Sequence, residues 1–289
     1  MPKDWCPFDP GSGKVPDHYD VHLYSNDFAA FSKDSGPFDG TASGELFGNT
    51  GARGSCDVVL YSPDHHRLPS ELPAKHWRLV VDLWTRRTQE LAADAAVQYV
   101  FIFENAGAAI GVTMPHPHGQ IYSFPFIPPL AEMELASARE YRSEKGTCLY
   151  CDLLAGELQA GERVVEGNES FVAFVPFAAR FPSEVQIYAR RHAPSLAALT
   201  DAEKSGLAEL IQTIRRKYDA LYGFPMPLMM MVRQAPVQGE HPYFHFHVEF
   251  FPIQRSPTKL KYLAGVETGA GTFLNDTLAE DQAEAMRKA

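Results

Sequence analysis

The residues best placed for chemistry lie in "MPHPHGQIYS", Met114 to Ser123. His116, His118 and Gln120 alternate with a proline and a glycine, and on extended chain side chains two apart project from the same face. A neutral imidazole can attack an electrophile and leave again, which suits a two-step transfer through a covalent intermediate. Gln120 is a neutral donor that can hold a phosphoryl oxygen without repelling it. Gly119 removes bulk on the other face of the chain and lets backbone approach a ligand closely. Upstream, "FENAGAAIG" (103–111) is rich in small residues, so its backbone N–H groups can reach phosphates. A histidine satisfied inside the fold is the bland alternative for His118; the row as a whole favours function.

A second row, "HFHVEFF", repeats the pattern with His245 and His247 but carries Glu249 where the first has Gln120. A carboxylate there repels phosphate and favours cations. His247 and Glu249, with Glu134, are therefore read either as a metal site or, for the histidine and carboxylate, as a pair that stabilises the fold.

Zinc takes about four ligands from thiolate, imidazole and carboxylate. Cys148 and Cys151, expected on a tight turn, with His192 and His245 make one such set. The alternative is two packed cysteines and a capping histidine. Cys6, Asp9, His65 and His116 make the corresponding set in the first half, where aspartate binds zinc less softly than cysteine. His66 is expected in solvent and Cys56 as a packed thiol.

These residues must be positioned by a chain that reads as two divergent copies of one module. "WCPFDP", "SPDHH", the helical "LPAKHWRLVVDLWTRRTQELA", the strand "VQYVFIFENAG" and "HPHGQIY" recur in order as "CLYCDL", "VQIYARRHAPSL", "AEKSGLAELIQTIRRKYDALY", "PLMMMVRQAP" and "HFHVEFF". The interval from His65 to His116 nearly equals that from His192 to His245. Leu207, Leu210, Ile211, Ile214, Tyr218 and Leu221 follow the 3.6-residue period of an amphipathic helix. The expected class is α+β with mainly antiparallel sheet and flanking helices. Residues 1–126 form the first half, 127–147 a partly helical connector broken by its proline pair, and 148–289 the second half. The polar end "TLAEDQAEAMRKA" reads as a surface helix or frayed tail.

The chain of 289 residues is 45% hydrophobic and 21% charged, ample for a large core. No apolar run approaches the ~18–20 residues of a membrane span. The opening "MPKDWCPFDPG" has the character of neither a signal nor a transit peptide, so a cytoplasmic location is expected. A net charge of −10 argues against a nucleic-acid partner.

"FENAGAAIGVTMPHPHGQIYSFPFIP" resembles the signature of the galactose-1-phosphate uridylyltransferase family, within the histidine-triad superfamily. The likeness extends through "YSNDFAAF" (24–31), "GARG" (51–54), "YSPDHHRLP" (61–69) and "RSPTKLKYLAGVE" (255–267). It implies two histidine-triad-like halves and a ping-pong reaction. His118 would take UMP from UDP-glucose, release glucose 1-phosphate, and pass UMP to galactose 1-phosphate to give UDP-galactose. Gln120 would hydrogen-bond the phosphoryl group and Asn105 would position phosphate. Asn26 and Asp27 match the uridine and ribose region. Lys261 and Glu267 match the sugar-phosphate end, supplied partly by a neighbouring subunit, so a homodimer is implied. The resemblance also implies zinc and a second metal, iron or zinc.

Departures are visible. Asp9 replaces the usual second cysteine of the first zinc set. Arg233 and Glu249 stand where the family's second metal site has histidines. The family's arginine-containing segment before the first cysteine motif has no counterpart here, so its phosphate contacts are expected to be lost or replaced. "TGAGTFLNDT", after Glu267, also differs. Two other readings remain: a related adenylyltransferase such as an ADP-glucose phosphorylase, with Asn26–Asp27 the discriminating region, or a zinc-stabilised nucleotide-binding module without turnover.

Overall fold

A computed structural model describes residues 5–36 and 51–289. Its framework is one nine-stranded sheet, antiparallel at every junction. In chain order the strands are β1 (His22–Ser25), β2 (Ser55–Leu60), β3 (Tyr99–Ala106), β4 (His118–Phe124), β5 (Val164–Gly167), β6 (Phe171–Phe174), β7 (Val185–Ala189), β8 (Leu228–Arg233) and β9 (His247–Pro252). Their spatial order is β1-β2-β4-β3-β8-β9-β7-β6-β5. The two copies meet at β3 and β8, where Ile102 lies opposite Val232 and Asn105 opposite Met229. A short hairpin, β10 (Gln254–Ser256) and β11 (Lys259–Leu260), follows.

The long helices predicted from periodicity, α1 (Ala74–Ala92) and α4 (Asp201–Tyr222), pack against each other on one face of the sheet. From α1, Trp77, Val80, Val81 and Trp84 are fully buried; from α4, Leu207, Ile211, Ile214 and Tyr218. Each such side chain contributes about 1.5–3 kcal/mol through removal of apolar surface from water. The start of α4 is fixed by a capping box: the Thr200 hydroxyl accepts from the Glu203 N–H, while Glu203 accepts from the Thr200 N–H at 2.8 Å. Its end is fixed by Gly223 in the left-handed region at φ 76°. Within this core the guanidinium of Arg215 on α4 pairs with Glu104 on β3, tying second half to first.

The connector contains a helix, α2 (Pro129–Lys145), and with α3 (Leu149–Ala160) covers the opposite face of the second half. Leu135, Ala138, Tyr150 and Leu154 pack there on Phe174, Tyr188 and Phe244. The same face of the first half, carrying Phe101, Phe103, Tyr122 and Phe124, stays half-exposed.

One expectation needs correction. Cys148 and Cys151 are not on a tight turn; Cys148 is the residue before α3 and Cys151 lies in its first turn. Of the two readings of the C-terminal stretch, the helix is the one that holds. After the short α5 (Gly265–Ala270) the stretch forms α6 (Ala279–Lys288), and Ala279, Ala283 and Met286 enter the main core.

Candidate active site and metal clusters

His118 opens β4, and strand alternation puts it on the open face with Gln120. Its Nδ1–H donates to the His116 carbonyl at 2.7 Å, which leaves the Nε2 lone pair free. The Phe8 ring lies 5.7 Å from the imidazole. Gln120 and His118 share a groove of about 170 Å³ with Asn105, Ile110, Gly111, Val112, Thr113 and Met114. Gly111 in this wall has φ 85°, which glycine alone adopts without strain. A cavity of about 350 Å³ also meets His118 and reaches inward to Asn105, Arg215 and Glu104.

Gly119 faces away from this groove, and its far side is filled by protein: a Cβ there would run into the Tyr61 hydroxyl. The sequence did not reveal this partner, because Tyr61 lies on another segment and nothing local links it to residue 119.

The two histidine–cysteine sets are each brought together, with ligand atoms within 4.8 Å of one another. In the second half, Cys151 Sγ lies 3.3 Å from both His192 Nδ1 and His245 Nδ1. His245 gives its Nε2–H to the Ala189 carbonyl at 2.8 Å, so its Nδ1 lone pair faces the cysteines. Burial lowers the pKa of this imidazole to about 4, keeping it neutral and able to ligate. The first half repeats the device. His116 Nε2–H donates to the Ser62 carbonyl at 2.7 Å, and Nδ1 faces Asp9 Oδ1 at 3.0 Å. Asp9 Oδ1 is also 3.0 Å from His65 Nδ1. A neutral imidazole lone pair against a carboxylate oxygen calls for a cation between them, so both sets fit a metal with zinc's donor preferences. Tyr19, unrecognised in the sequence, closes this cluster from above with its hydroxyl 2.8 Å from the Phe8 carbonyl and 3.3 Å from His116 Nε2. His66 is exposed and Cys56 buried, as expected.

The remaining predicted residues scatter around these centres. Asn26 and Asp27 follow β1; Asp27 accepts from the Tyr24 hydroxyl at 2.7 Å, and Asn26 Oδ1 accepts from the Phe28 N–H at 2.9 Å. Lys261 and Glu267 form an ion pair at 3.1 Å, and line neither cavity around His118. His247 Nε2 is 4.0 Å from Glu249 Oε1. Glu249 is engaged by Arg233 at 2.6 Å and by Arg180 at 3.2 Å, and Glu134 lies 3.7 Å from Arg233. Burial pushes the Glu249 carboxyl up, but the cations beside it more than offset this and its pKa falls below the ordinary value. Among the described residues no helix is long and apolar enough to cross a membrane.

Comparison with known proteins accords with this geometry. Residues 7–128 match the family description "Galactose-1-phosphate uridyl transferase, N-terminal domain", and residues 134–289 match its C-terminal domain. The galactose-1-phosphate uridylyltransferase of Thermotoga maritima is 40% identical, over 99% of this chain and 90% of that protein. That of Haemophilus influenzae is 34% identical over 94% of this chain and 77% of the relative. A solved uridylyltransferase superposes with a TM-score of 0.93 at 33% identity, covering 100% of this chain and 92% of the other. An ADP-glucose phosphorylase from Arabidopsis thaliana with bound ADP-glucose gives 0.84 at 25% identity, with the same coverage. The protein is thus a nucleotidyltransferase. It belongs to the galactose-1-phosphate uridylyltransferase family.

Proposed function

We propose that this chain moves a uridylyl group from UDP-glucose to a hexose 1-phosphate, galactose 1-phosphate foremost, through a covalent intermediate on His118. The observation that carries the reading is the 2.7 Å hydrogen bond from His118 Nδ1–H to the His116 carbonyl. It holds the ring in one tautomer and orientation with Nε2 as the free nucleophile. Nε2 attacks the α-phosphorus; an N–P bond forms, the P–O bond to glucose 1-phosphate breaks, and that sugar phosphate departs. A phosphate oxygen of galactose 1-phosphate then attacks the same phosphorus, the N–P bond breaks, and UDP-galactose leaves. Gln120 and Asn105 flank the groove where phosphoryl oxygens would lie and supply neutral donors to them. Asn26 and Asp27 would take the nucleoside. Lys261 and Glu267, remote from the groove of their own chain, would reach a partner's groove in a homodimer, and the half-exposed aromatic face beside His118 offers the surface for a second copy.

Zinc would be held by Cys148, Cys151, His192 and His245, and by Cys6, Asp9, His65 and His116. When bound it would supply a structural tether. Its place in the first half would be beside the strand of His118, since His116 would ligate it while offering its carbonyl to His118. A cytoplasmic location accords with this sugar-nucleotide chemistry.

The likeness to an ADP-glucose phosphorylase supports one second reading, adenylyl transfer by the same histidine, since His118 acts on the α-phosphate and not on the base. Intact mass after mixing with UDP-glucose or ADP-glucose, beside a His118→Ala control, separates the readings. A UMP-sized gain absent from the variant is expected. An AMP-sized gain would move the assignment to adenylyl transfer. No gain from folded, metal-loaded protein would leave a binding module.

A further inference from the structure

His118 and His247 are equivalent residues of the two copies. Each opens its strand, and each donates Nδ1–H to the carbonyl two residues back, at 2.7 and 2.9 Å. Beyond the first imidazole lies an open groove. Beyond the second lies a packed cluster of charge.

The carboxylate of the second row offered a metal site here, with Glu134, His247 and Glu249 as ligands, whereas the resembling family has histidines where Arg233 and Glu249 stand. Two carboxylates and an imidazole are a chemically reasonable set for a divalent ion. The residues nevertheless do not fit one, because a guanidinium already occupies their common ground. Arg233 Nε donates to Glu249 Oε2 at 2.6 Å, and its Nη2 lies 3.7 Å from Glu134 Oε1. Arg180 Nη2 donates to the other Glu249 oxygen at 3.2 Å, where Gln186 Nε2 also points at 3.4 Å. Arg233 and Glu249 expose only 4% and 3% of their surface, so neither can swing into solvent to admit an ion without unpacking its surroundings. A divalent cation would have to displace Arg233 or sit beside it in a poorly screened interior, and like charges at such separations repel strongly.

We propose that Arg233 is the resident cation of the second copy. Together with Arg180 it balances the charges of Glu134 and Glu249 in place of a metal, and with Glu249 it fills the ground that the first copy leaves open as a groove. This half therefore holds neither a metal at Glu134, His247 and Glu249 nor a nucleotide on His247, and the connector helix α2 is fastened to β8 and β9 by a charge that chelators cannot remove.

The test is metal content per chain after loading with excess Co²⁺ and desalting, for the wild type, Glu249→Gln and Arg233→His. Wild type and Glu249→Gln should hold equal metal. Arg233→His, which replaces the guanidinium by an imidazole, should gain about one Co²⁺ whose visible spectrum lacks cysteine-to-metal charge transfer. Loss of one metal on Glu249→Gln would overturn the proposal, as would an Arg233→His protein with native circular dichroism that gains none. Should Arg233→His fail to fold, the wild-type and Glu249→Gln comparison decides alone. If that variant also fails, peptide mapping of nucleotide-loaded wild type decides: adduct on His118 only is expected, and adduct on His247 would refute the closed second copy.

Discussion

The hydroxyl of Tyr61 sits under Gly119, filling the space where any other residue would carry its Cβ. Tyr61 is wholly buried between Trp77 and Trp84, and among the described residues its oxygen has no hydrogen-bond partner. The strand that presents His118 and Gln120 is thereby pressed to a fixed height above the helices.

Gly119→Ala should push β4 outward and move His118. Misplacement of a reacting group by about 1 Å costs on the order of 10²-fold in rate, so the rate of nucleotidyl-adduct formation should fall by about that factor. Tyr61→Phe removes only an unpaired hydroxyl and should be nearly neutral alone. Combined with Gly119→Ala it removes the closest contact but leaves the Tyr61 ring carbon at 2.9 Å and the Phe103 carbonyl at 3.1 Å from the new Cβ. It should therefore restore part of the lost rate, as rapid-quench measurements of the half-reaction would reveal. An unchanged rate in Gly119→Ala would mean that Tyr61 does not set the height of the strand.

Gln120→Glu makes the first row read like the second. In the proposed transfer it would replace a neutral donor to the phosphoryl group by a negative acceptor, and loss of one such donor typically costs about 10²–10³-fold. Adduct formation should slow by at least that much with stability little changed. Gln120→Ala should be less impaired than Gln120→Glu, because it removes the donor without adding repulsion. The reverse order would place Gln120 away from the phosphate.

Once loaded with zinc, the two Cys/His clusters should release it unequally. Asp9 is a harder ligand than the cysteine at the corresponding place, so a chelator titration should empty the Cys6, Asp9, His65, His116 set first. Metal-binding energy is folding energy in such sites. If Cys151→Ser forfeits about 3 kcal/mol, Tm should drop by roughly 6–12 °C, measurable by calorimetry. A Cys151→Ser protein that keeps both its zinc content and its Tm would remove the metal from that cluster.

Acid stability should depend on the cap of α4. The Arg191 guanidinium, assisted by the Thr200 N–H and hydroxyl against burial, lowers the Glu203 carboxyl to about 2. A depressed folded-state pKa stabilises above the unfolded value of about 4.3, and that contribution is lost as pH falls from there toward 2. Glu203→Gln should cost about 0.5–2 kcal/mol at pH 7, like other lost caps, and should flatten the decline of stability between pH 4.5 and 2. Urea midpoints across that range provide the check. Parallel curves for the two proteins would assign the acid sensitivity elsewhere.

Much of this architecture was legible because duplication writes its signals twice. The ligand sets at His65 and His116, and at His192 and His245, come from strand ends far apart in sequence. Repetition of their spacing nevertheless revealed both, and the geometry gathers each. The periodicity of Leu207 to Tyr218 likewise located α4 and its buried face. What stayed hidden depends on contacts across the core. Nothing in the order of residues says that Arg215 meets Glu104 or that Tyr61 meets Gly119. Arg233 was visible only as a departure from a resembling pattern; its partners became apparent once β8, β9 and α2 were set side by side. The first turn of α3 reads in the sequence as a tight turn because Cys-x-x-Cys carries no helix signal of its own.

The junction of β3 with β8 has a further consequence for how the chain is made. On the ribosome β3 emerges soon after α1, yet the strand that covers its outer edge begins only at Leu228. Until then the nascent first half carries a bare hydrogen-bonding edge flanked by Phe101 and Phe103, the kind of edge that recruits other chains. A chain stopped at Gly146 should aggregate during synthesis, whereas the full-length chain caps that edge with its own duplicate.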